Sequence, residues 1–181
     1  MIIRMNAKFL FRAVVLCMAM LAGCISFTSC SDDEDAPIEE VTNELTNVKV
    51  EYSINLSENW FKYFDIEVSY NSGVEEKTMT LTEGWVYSMT IPYTGEEVNY
   101  YCNVTAKPKA EVPAFDTDTA YYFAQETHAK VSGILKDGSV ASDFGFNATG
   151  STGGLNIAGA AMEAYTQKEQ SLLDFSYTPE K

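Results

Sequence analysis

The feature that most constrains the fold is a strict alternation of apolar and polar residues that begins at Val48. In "VKVEYSINL", residues 48–56, every second residue is apolar, and the residues between them are Lys, Glu, Ser and Asn. Because successive side chains of a strand point to opposite faces, this spacing predicts a half-buried antiparallel strand. A slip of one residue would expose the whole apolar face, so we also expect a firm register.

Further segments repeat this alternation at intervals of roughly ten residues, which is typical of a sandwich or barrel of short strands. These segments are "FDIEVSY" (64–70), "MTL" (79–81), "WVYSMTI" (85–91) and "VNYYCNV" (98–104). The sequences between them, "SENW" (57–60), "NSG" (71–73) and "TGEE" (94–97), are predicted as turns.

The C-terminal half continues the pattern. Residues 120–135 are predicted as one long strand, and the Asp-Gly pair in "KDGS" (136–139) predicts a hairpin turn after it. Residues 157–172 have apolar residues near helical spacing, whereas "LDFSYT" (173–178) alternates as a closing strand. We therefore expect an all-β chain, an immunoglobulin-like antiparallel β-sandwich over residues 45–181, with one short helix near the C-terminus.

The N-terminus has a different character. Residues 1–12 contain three basic residues and no acid, and residues 13–25 are apolar throughout. A basic segment followed by a short apolar run is the pattern of a secretory signal peptide. A membrane-spanning helix needs roughly 20 apolar residues, so we expect this leader to be removed rather than to remain as a span.

The apolar run ends near two cysteines that match a lipoprotein processing site. "LAGC" ends at Cys24, and "FTSC" ends at Cys30. The sequence "CSDDED" after Cys30 resembles the export signal of surface lipoproteins in the Bacteroidota, in which acidic residues follow the lipidated cysteine. This resemblance implies a signal peptide over residues 1–29, a lipid on Cys30 with Cys24 as the alternative, and an outer-membrane anchor with the chain exposed at the cell surface. Several acyl chains together hold a protein firmly to a membrane.

The predicted mature chain is strongly acidic. Loss of residues 1–29 removes three of the 12 basic residues and none of the 26 acids, which leaves nine bases and a net charge of −17. Residues 30–44 contain seven of these acids and are predicted as an acidic linker. Nucleic acid is an unfavourable partner for such a chain, because binding to phosphates needs Lys and Arg.

Cysteine usage restricts how the domain is stabilised. With the leader removed and Cys30 acylated, Cys102 is the only cysteine left, so we expect no disulfide within the domain. Cys102 is predicted to pack as a small apolar side chain.

The residues needed for common catalytic or metal sites are scarce. The chain has a single histidine, His128, predicted on a solvent-facing strand position, and no serine motif accompanies it. One histidine and one cysteine are too few for a zinc site, and Asp116 and Asp118 match only the beginning of a calcium loop. We expect no enzyme activity, no metal and no cofactor.

Three aromatic residues indicate that the domain could bind a ligand instead of catalysing a reaction. Trp60 is predicted at a turn, Trp85 at the start of a strand, and Tyr101 on an outward face. Exposed rings of this kind can form a platform on which a glycan stacks. The alternative interpretation is that these rings close the ends of the sandwich, where Tyr and Trp often lie. Tyr63 and Tyr121 are also predicted to face outward.

One modification pattern is present. "DTA" at 118–120 resembles the O-glycosylation sites of exported Bacteroidota proteins, which would place a glycan on Thr119.

Together these features predict a lipid-anchored binding or interaction module of the cell envelope without catalytic activity. Its partners would be the membrane, through the anchor, and a glycan or envelope proteins. The alternatives are an accessory glycan-binding lipoprotein of a polysaccharide-utilisation system, and a fimbrial or adhesin component that assembles by strand donation.

Overall fold

In the computed structural model, which describes residues 43–150 and 152–180, the alternating segments form two antiparallel sheets. The predicted leader, Cys24, Cys30 and the predicted acidic linker up to residue 42 lie outside the described residues. The described strands are β1 (Leu45–Leu56), β2 (Phe64–Asn71), β3 (Glu76–Leu81), β4 (Trp85–Pro92), β5 (Tyr100–Pro108), β6 (Ala120–Leu135), β7 (Val140–Thr149), β8 (Gly153–Ala158) and β9 (Gln170–Tyr177). The two helices of this part of the chain are α1 (Glu58–Tyr63) and α2 (Gly159–Thr166).

The pairing of the strands confirms an all-β sandwich. The first sheet has the order β4-β1-β6-β7, with β8 also paired to β6, and the second sheet has the order β3-β2-β5-β9. Strands β1 to β5 pair as strands B, C, C′, E and F do in an immunoglobulin variable domain. The strands beside these five come from later in the chain, since β6 lies beside β1 and β9 lies beside β5, the position of strand G in an immunoglobulin sheet. Strand β6 therefore takes the place that an N-terminal strand has in an immunoglobulin sheet.

The core lies between the facing sides of the two sheets. The alternation from Val48 to Leu56 is observed as predicted, with each apolar residue buried and each polar residue between them at least partly exposed. The same holds along β2 and β5, where Val68 and Cys102 are fully buried. Strand β1 has a partner on each side, so its register fixes both neighbours, with Tyr52 opposite Tyr87 on β4 and Ala129 on β6.

Two local predictions are wrong. The segment predicted as a turn at 57–60 runs into α1, because Trp60 and Tyr63 are three residues apart and bury the same face of a helix. Met89, predicted on a buried face, is 37% exposed because β4 is an edge strand. The predicted short C-terminal helix exists, but it is confined to α2 and lies between the two strands β8 and β9.

Candidate functional site

The candidate site forms where β6 extends beyond β1. Strand β1 ends at Leu56, which lies opposite Gln125, whereas β6 begins five residues earlier, at Ala120. Over Ala120–Gln125 its partner on the far side is β8. Strands β7 and β8 pair with different parts of the same edge of β6. At the start of β6 the first sheet therefore consists of β6 and β8 alone.

The start of α1 covers the edge of β6 that β1 leaves free. The backbone N–H of Ser57 donates to the carbonyl oxygen of Ala124 at 2.9 Å, and the Ala124 N–H donates to Ser57 Oγ at 3.0 Å. The amide of Asn59 donates to the carbonyl oxygen of Tyr122 at 2.9 Å. These bonds replace the missing strand and fix α1 against β6, which positions Trp60 over the interior.

Two neighbouring cavities lie around this end of β6. The first, of about 410 Å³, lies between the edge strands β8 and β9, and its walls come from α1, β6, β8, α2 and β9. It is lined by Trp60, Phe123, Gln125, Thr152, Gly153, Gly154, Leu155, Tyr165, Gln170, Ser171 and Leu172. We call the two cavities together the β6–β8 cleft.

The second cavity, of about 550 Å³, shares Gln125, Thr152 and Gly153 with the first. Its other lining residues are Asn55, Leu56, Ser57, Tyr122, Ala124 and Glu126. Tyr122, Ala124 and Glu126 alternate along β6 with Phe123 and Gln125, so this cavity lies on the outer face of β6 and the first lies on the inner face, with the shared residues between them.

Aromatic rings form one side of the cleft. The Trp60 ring packs against Phe123 with centroids 5.0 Å apart, and Phe123 packs against Tyr165 at 5.1 Å. Trp60 is only 3% exposed, whereas Tyr165 is half-buried and Tyr122 is 50% exposed. The first cavity therefore presents the Tyr165 ring beside a buried indole, and the second presents the Tyr122 ring.

The indole nitrogen of Trp60 is the least satisfied polar group of the cleft. Its Nε1–H is buried and has no hydrogen-bond acceptor among the described residues. An indole nitrogen can only donate, and a buried donor without a partner costs about 1–3 kcal/mol. An acceptor on a ligand would recover part of that free energy.

The cleft has few charged groups for such an acidic protein. Among its lining residues, Glu126 alone is charged at neutral pH. Burial raises the pKa of the Tyr165 phenol, which keeps this ring uncharged. The other polar groups are amides, hydroxyls and backbone, so the site favours a ligand that forms hydrogen bonds without carrying charge.

The predicted aromatic platform is not observed as a unit. Trp60 was predicted to be exposed, and this is wrong, because α1 turns its ring into the core. Trp85 is half-buried against Tyr70, with ring centroids 5.2 Å apart. Tyr101 lies on the second sheet, where its hydroxyl donates to Glu76. No ring contact within the described part of the chain joins any two of Trp60, Trp85 and Tyr101.

Two further tyrosines behave differently from each other. Tyr63, predicted to face outward, is fully buried, because it shares the inner face of α1 with Trp60. Its ring meets the half-buried Tyr121 edge to face at 5.6 Å. The Tyr63 hydroxyl, like the Trp60 nitrogen, has no partner among the described residues.

The remaining predicted residues lie away from the cleft. Cys102 is buried as predicted, and burial raises the pKa of its thiol to about 12. His128 is paired on the sheet surface with Thr149, with 3.3 Å between Nδ1 and Oγ1. Within residues 43–150 and 152–180, no group of three or more His, Cys, Asp or Glu side chains is arranged to hold a metal ion.

Thr119 precedes β6 in an exposed turn. Its hydroxyl donates to Asp116 Oδ2 at 3.1 Å, and Asp116 Oδ1 accepts the N–H of Asp118 at 2.9 Å. The two carboxylates that matched the start of a calcium loop thus belong to a turn in which Asp116 bonds to its own neighbours.

Sequence reasoning missed Gln125, Tyr165 and Gln170 as site residues. One signal was available: Phe123, Gln125 and Thr127 share a face of β6, so two polar residues stand on the apolar side of a strand. Tyr165 and Gln170 gave no comparable signal, because α2 brings them to the cleft only through the tertiary fold.

Comparisons with protein-family models, curated proteins and solved structures return no match to this chain. Among the described residues, no helix is long and apolar enough to cross a membrane.

Proposed function

We propose that this chain is a lipid-anchored binding module of the cell envelope, and that the β6–β8 cleft holds its ligand. The observation that carries this proposal is the buried Trp60 Nε1–H, which lacks an acceptor within the described residues in a side chain that lines a cavity. Buried polar groups in folded proteins nearly always have partners, so an unpaired donor in a side chain that lines a cavity supports this assignment.

The proposal of a lipid anchor depends on the N-terminal segment being a lipoprotein signal peptide. Support comes from the apolar run before "FTSC" and from the acidic residues directly after Cys30. The acidic segment would not bind anionic lipid headgroups, since like charges repel. It would instead remain in solvent between the acyl chains and the domain that begins at β1.

Acyl labelling tests the anchor. Cells that express the full chain are fed labelled palmitate, and wild type is compared with Cys30→Ser and Cys24→Ser. We expect the label to disappear in Cys30→Ser and to remain in Cys24→Ser, because only the first removes the acylated sulfur. The opposite result would move the anchor to Cys24, and an unlabelled wild-type chain would overturn it.

Protease treatment of intact cells tests the location. A surface-exposed domain is accessible to added protease while a periplasmic marker stays intact. Protection of the chain until the outer membrane is permeabilised would place it on the inner side and contradict surface exposure.

The absence of catalytic activity is part of the proposal. The cleft contains neither His128 nor Cys102, and its single carboxylate, Glu126, has no second carboxylate among the lining residues. Acid-base hydrolysis of a glycoside commonly needs two such groups. We therefore expect a ligand to be bound and released unchanged, which product analysis by mass spectrometry after incubation would check.

A further inference from the structure

We propose that the β6–β8 cleft binds a neutral saccharide. This inference rests on the proposed binding function and adds the chemical class of the ligand. Sugar rings combine apolar C–H faces with hydroxyl groups that both donate and accept, and the cleft offers aromatic rings beside uncharged hydrogen-bonding groups.

Each of the two cavities has an accessible aromatic ring. Tyr165 lines the first cavity and Tyr122 lines the second, and both rings are accessible. The Tyr122 ring lies directly over Gly154, where a Cβ atom would meet it at 2.0 Å. Any other residue at 154 would displace Tyr122, so this glycine holds the ring flat against β8, with its opposite face free for a ligand.

Uncharged polar groups surround these rings. Gln125 belongs to both cavities, and its side-chain amide makes no hydrogen bond to any of the described residues. Gln170 donates through Nε2 to the carbonyl oxygen of Lys168 at 3.2 Å, which leaves its Oε1 as an acceptor. A side-chain amide can donate one hydrogen bond and accept another, so it can bond to two neighbouring sugar hydroxyls. A charged group can only donate or only accept.

Charge decides against acidic ligands. The mature chain has a predicted net charge of −17, and no lysine, arginine or histidine lines the cleft. A uronate, sulfate or phosphate group would find no compensating cation in either cavity, and in the second it would also meet Glu126. The neutral class is therefore favoured over anionic polysaccharides.

The Trp60 Nε1–H supplies the specific hydrogen bond. This nitrogen is buried, so a ligand hydroxyl or ring oxygen reaches it only when side chains around the first cavity move, and it then satisfies a donor that the described residues leave unpaired. Sites built to bond a ligand group lose much of their affinity when that group is missing, because the buried partner is left unsatisfied. Trp60→Phe removes this N–H together with the five-membered ring of the indole but keeps one aromatic ring, so it should weaken binding.

The chain allows a sharp test, because Trp60 and Trp85 are its only tryptophans. The full chain is purified in a zwitterionic detergent, since a sugar-based detergent would compete. Maltohexaose, cellohexaose, xylohexaose, mannohexaose and chitohexaose are titrated by calorimetry. Hexagalacturonate and an uncharged, end-capped hexapeptide of serine, asparagine and glycine serve as the competing ligand classes.

Variants locate the binding event. In Trp85→Phe, Trp60 is the only emitting indole, and we expect a neutral hexasaccharide to bind with unchanged affinity and to alter its emission. Trp60→Phe and Gln170→Ala should each weaken binding about fivefold or more, the size of one lost hydrogen bond. Tyr101→Phe, away from the cleft, should bind as wild type does. Gln170→Ala keeps the test valid if Trp60→Phe impairs folding.

Each other outcome overturns the inference. Binding of none of the neutral saccharides, equal or tighter binding of hexagalacturonate, or binding of the peptide alone would remove the ligand class. Saccharide binding that leaves Trp60 emission and both cleft variants unaffected would move the site elsewhere. The proposed function fails separately, through lost acyl labelling or protection from protease, so the two failures are distinguishable.

Discussion

Thr127 on β6 donates its hydroxyl hydrogen to the backbone carbonyl of Leu172 on β9 at 2.9 Å, and both residues are buried. This bond joins the first sheet to the second through the core. The carbonyl oxygen of Thr127 in turn accepts the N–H of Gly150 at 2.7 Å, at the point where β7 ends. Thr127 therefore connects β6 to β9 and to the residue after β7, and Leu172 lines the β6–β8 cleft.

Thr127→Val should test the value of this bond. Valine keeps the shape of threonine but leaves the Leu172 carbonyl buried without its side-chain partner, so we expect the free energy of unfolding to fall by about 1–3 kcal/mol. Urea denaturation followed by circular dichroism measures the change. Thr149→Val, the same substitution at an exposed position paired to His128, should change stability by about 0.5 kcal/mol or less. Equal effects at the two positions would contradict the inter-sheet role.

Val68→Asp should prevent folding. Val68 is fully buried on β2, opposite Val104 and Met79, and a carboxylate there would lose its hydration without a partner. A cost of several kcal/mol approaches the whole stability of a domain of this size. The matched control is Val86→Asp on the edge strand β4, where the side chain is 74% exposed and the expected loss is about 1 kcal/mol or less. A cooperative thermal transition at the wild-type temperature in Val68→Asp would refute the assignment of this face to the core.

The strands were predictable because one face of each packs against the opposite sheet. Along β1, β2 and β5 the alternation is strict, and burial follows it residue by residue. Met89 is an exception. The alternation of β4 predicted a strand inside a sheet, but β4 lies at the edge of the first sheet with β1 as its partner, and Met89 is exposed there. Pairing order was not predictable in the same way, since alternation identifies faces but not neighbours.

The cleft was largely unpredictable for a physical reason. Trp60, Phe123, Tyr165 and Gln170 come from four different elements, and no spacing rule links positions so far apart in the sequence. Helix α1 has only six residues, too few to show a helical period, so its tryptophan was assigned to an exposed turn. Gln125 was the one residue whose position on an apolar face could have indicated a polar site.

Gly145→Ala should be costly because of where its Cβ atom would lie. Gly145 has φ +133° and faces β6, and an added Cβ would stand 2.4 Å from the Val131 carbonyl oxygen. Backbone strain and displacement of β7 together should lower the free energy of unfolding by about 3 kcal/mol. Gly95→Ala, at φ +74° with no atom within 4 Å of the added Cβ, should cost about 1 kcal/mol. Chemical denaturation compares the two variants, and a smaller effect at 145 than at 95 would contradict the close approach of β7 to β6.

The two tryptophans should differ in their contribution to stability. Trp60 packs against Phe64, Phe123 and Tyr165 in the core, so Trp60→Ala should lower the free energy of unfolding by about 3–5 kcal/mol. Trp85 is half-buried on an edge strand, and Trp85→Ala should cost about 1–2 kcal/mol. Guanidinium denaturation followed by far-UV circular dichroism measures both, since neither variant keeps both fluorophores. Comparable losses would contradict the different burial of the two rings. A ligand-binding test based on Trp60→Ala would therefore confuse unfolding with loss of a contact, which is why Trp60→Phe is preferred.

Cys102 should make the domain sensitive to alkaline pH. Its thiol is buried among β2 and β9 residues, and burial raises its pKa from 9.0 to about 12 in the folded state. The unfolded chain therefore loses this proton at lower pH than the folded chain does. The stabilising contribution is complete below pH 9 and is lost between pH 9 and 12, at up to about 1.4 kcal/mol per pH unit.

Cys102→Ala should isolate that contribution. Tyr52 and Tyr70 also have raised pKa values through burial, and their ionisation acts in the same direction in both proteins. Between pH 9 and 11, the free energy of unfolding should therefore fall less steeply with pH in the variant than in wild type, as parallel urea titrations measure. Loss of the sulfur also changes stability by an amount that does not depend on pH, and this amount does not affect the slope. Parallel slopes would mean that solvent reaches the thiol in the folded state. Alkylation by iodoacetamide at pH 8 provides an independent check, because the folded wild-type chain should leave Cys102 unmodified until urea exposes it.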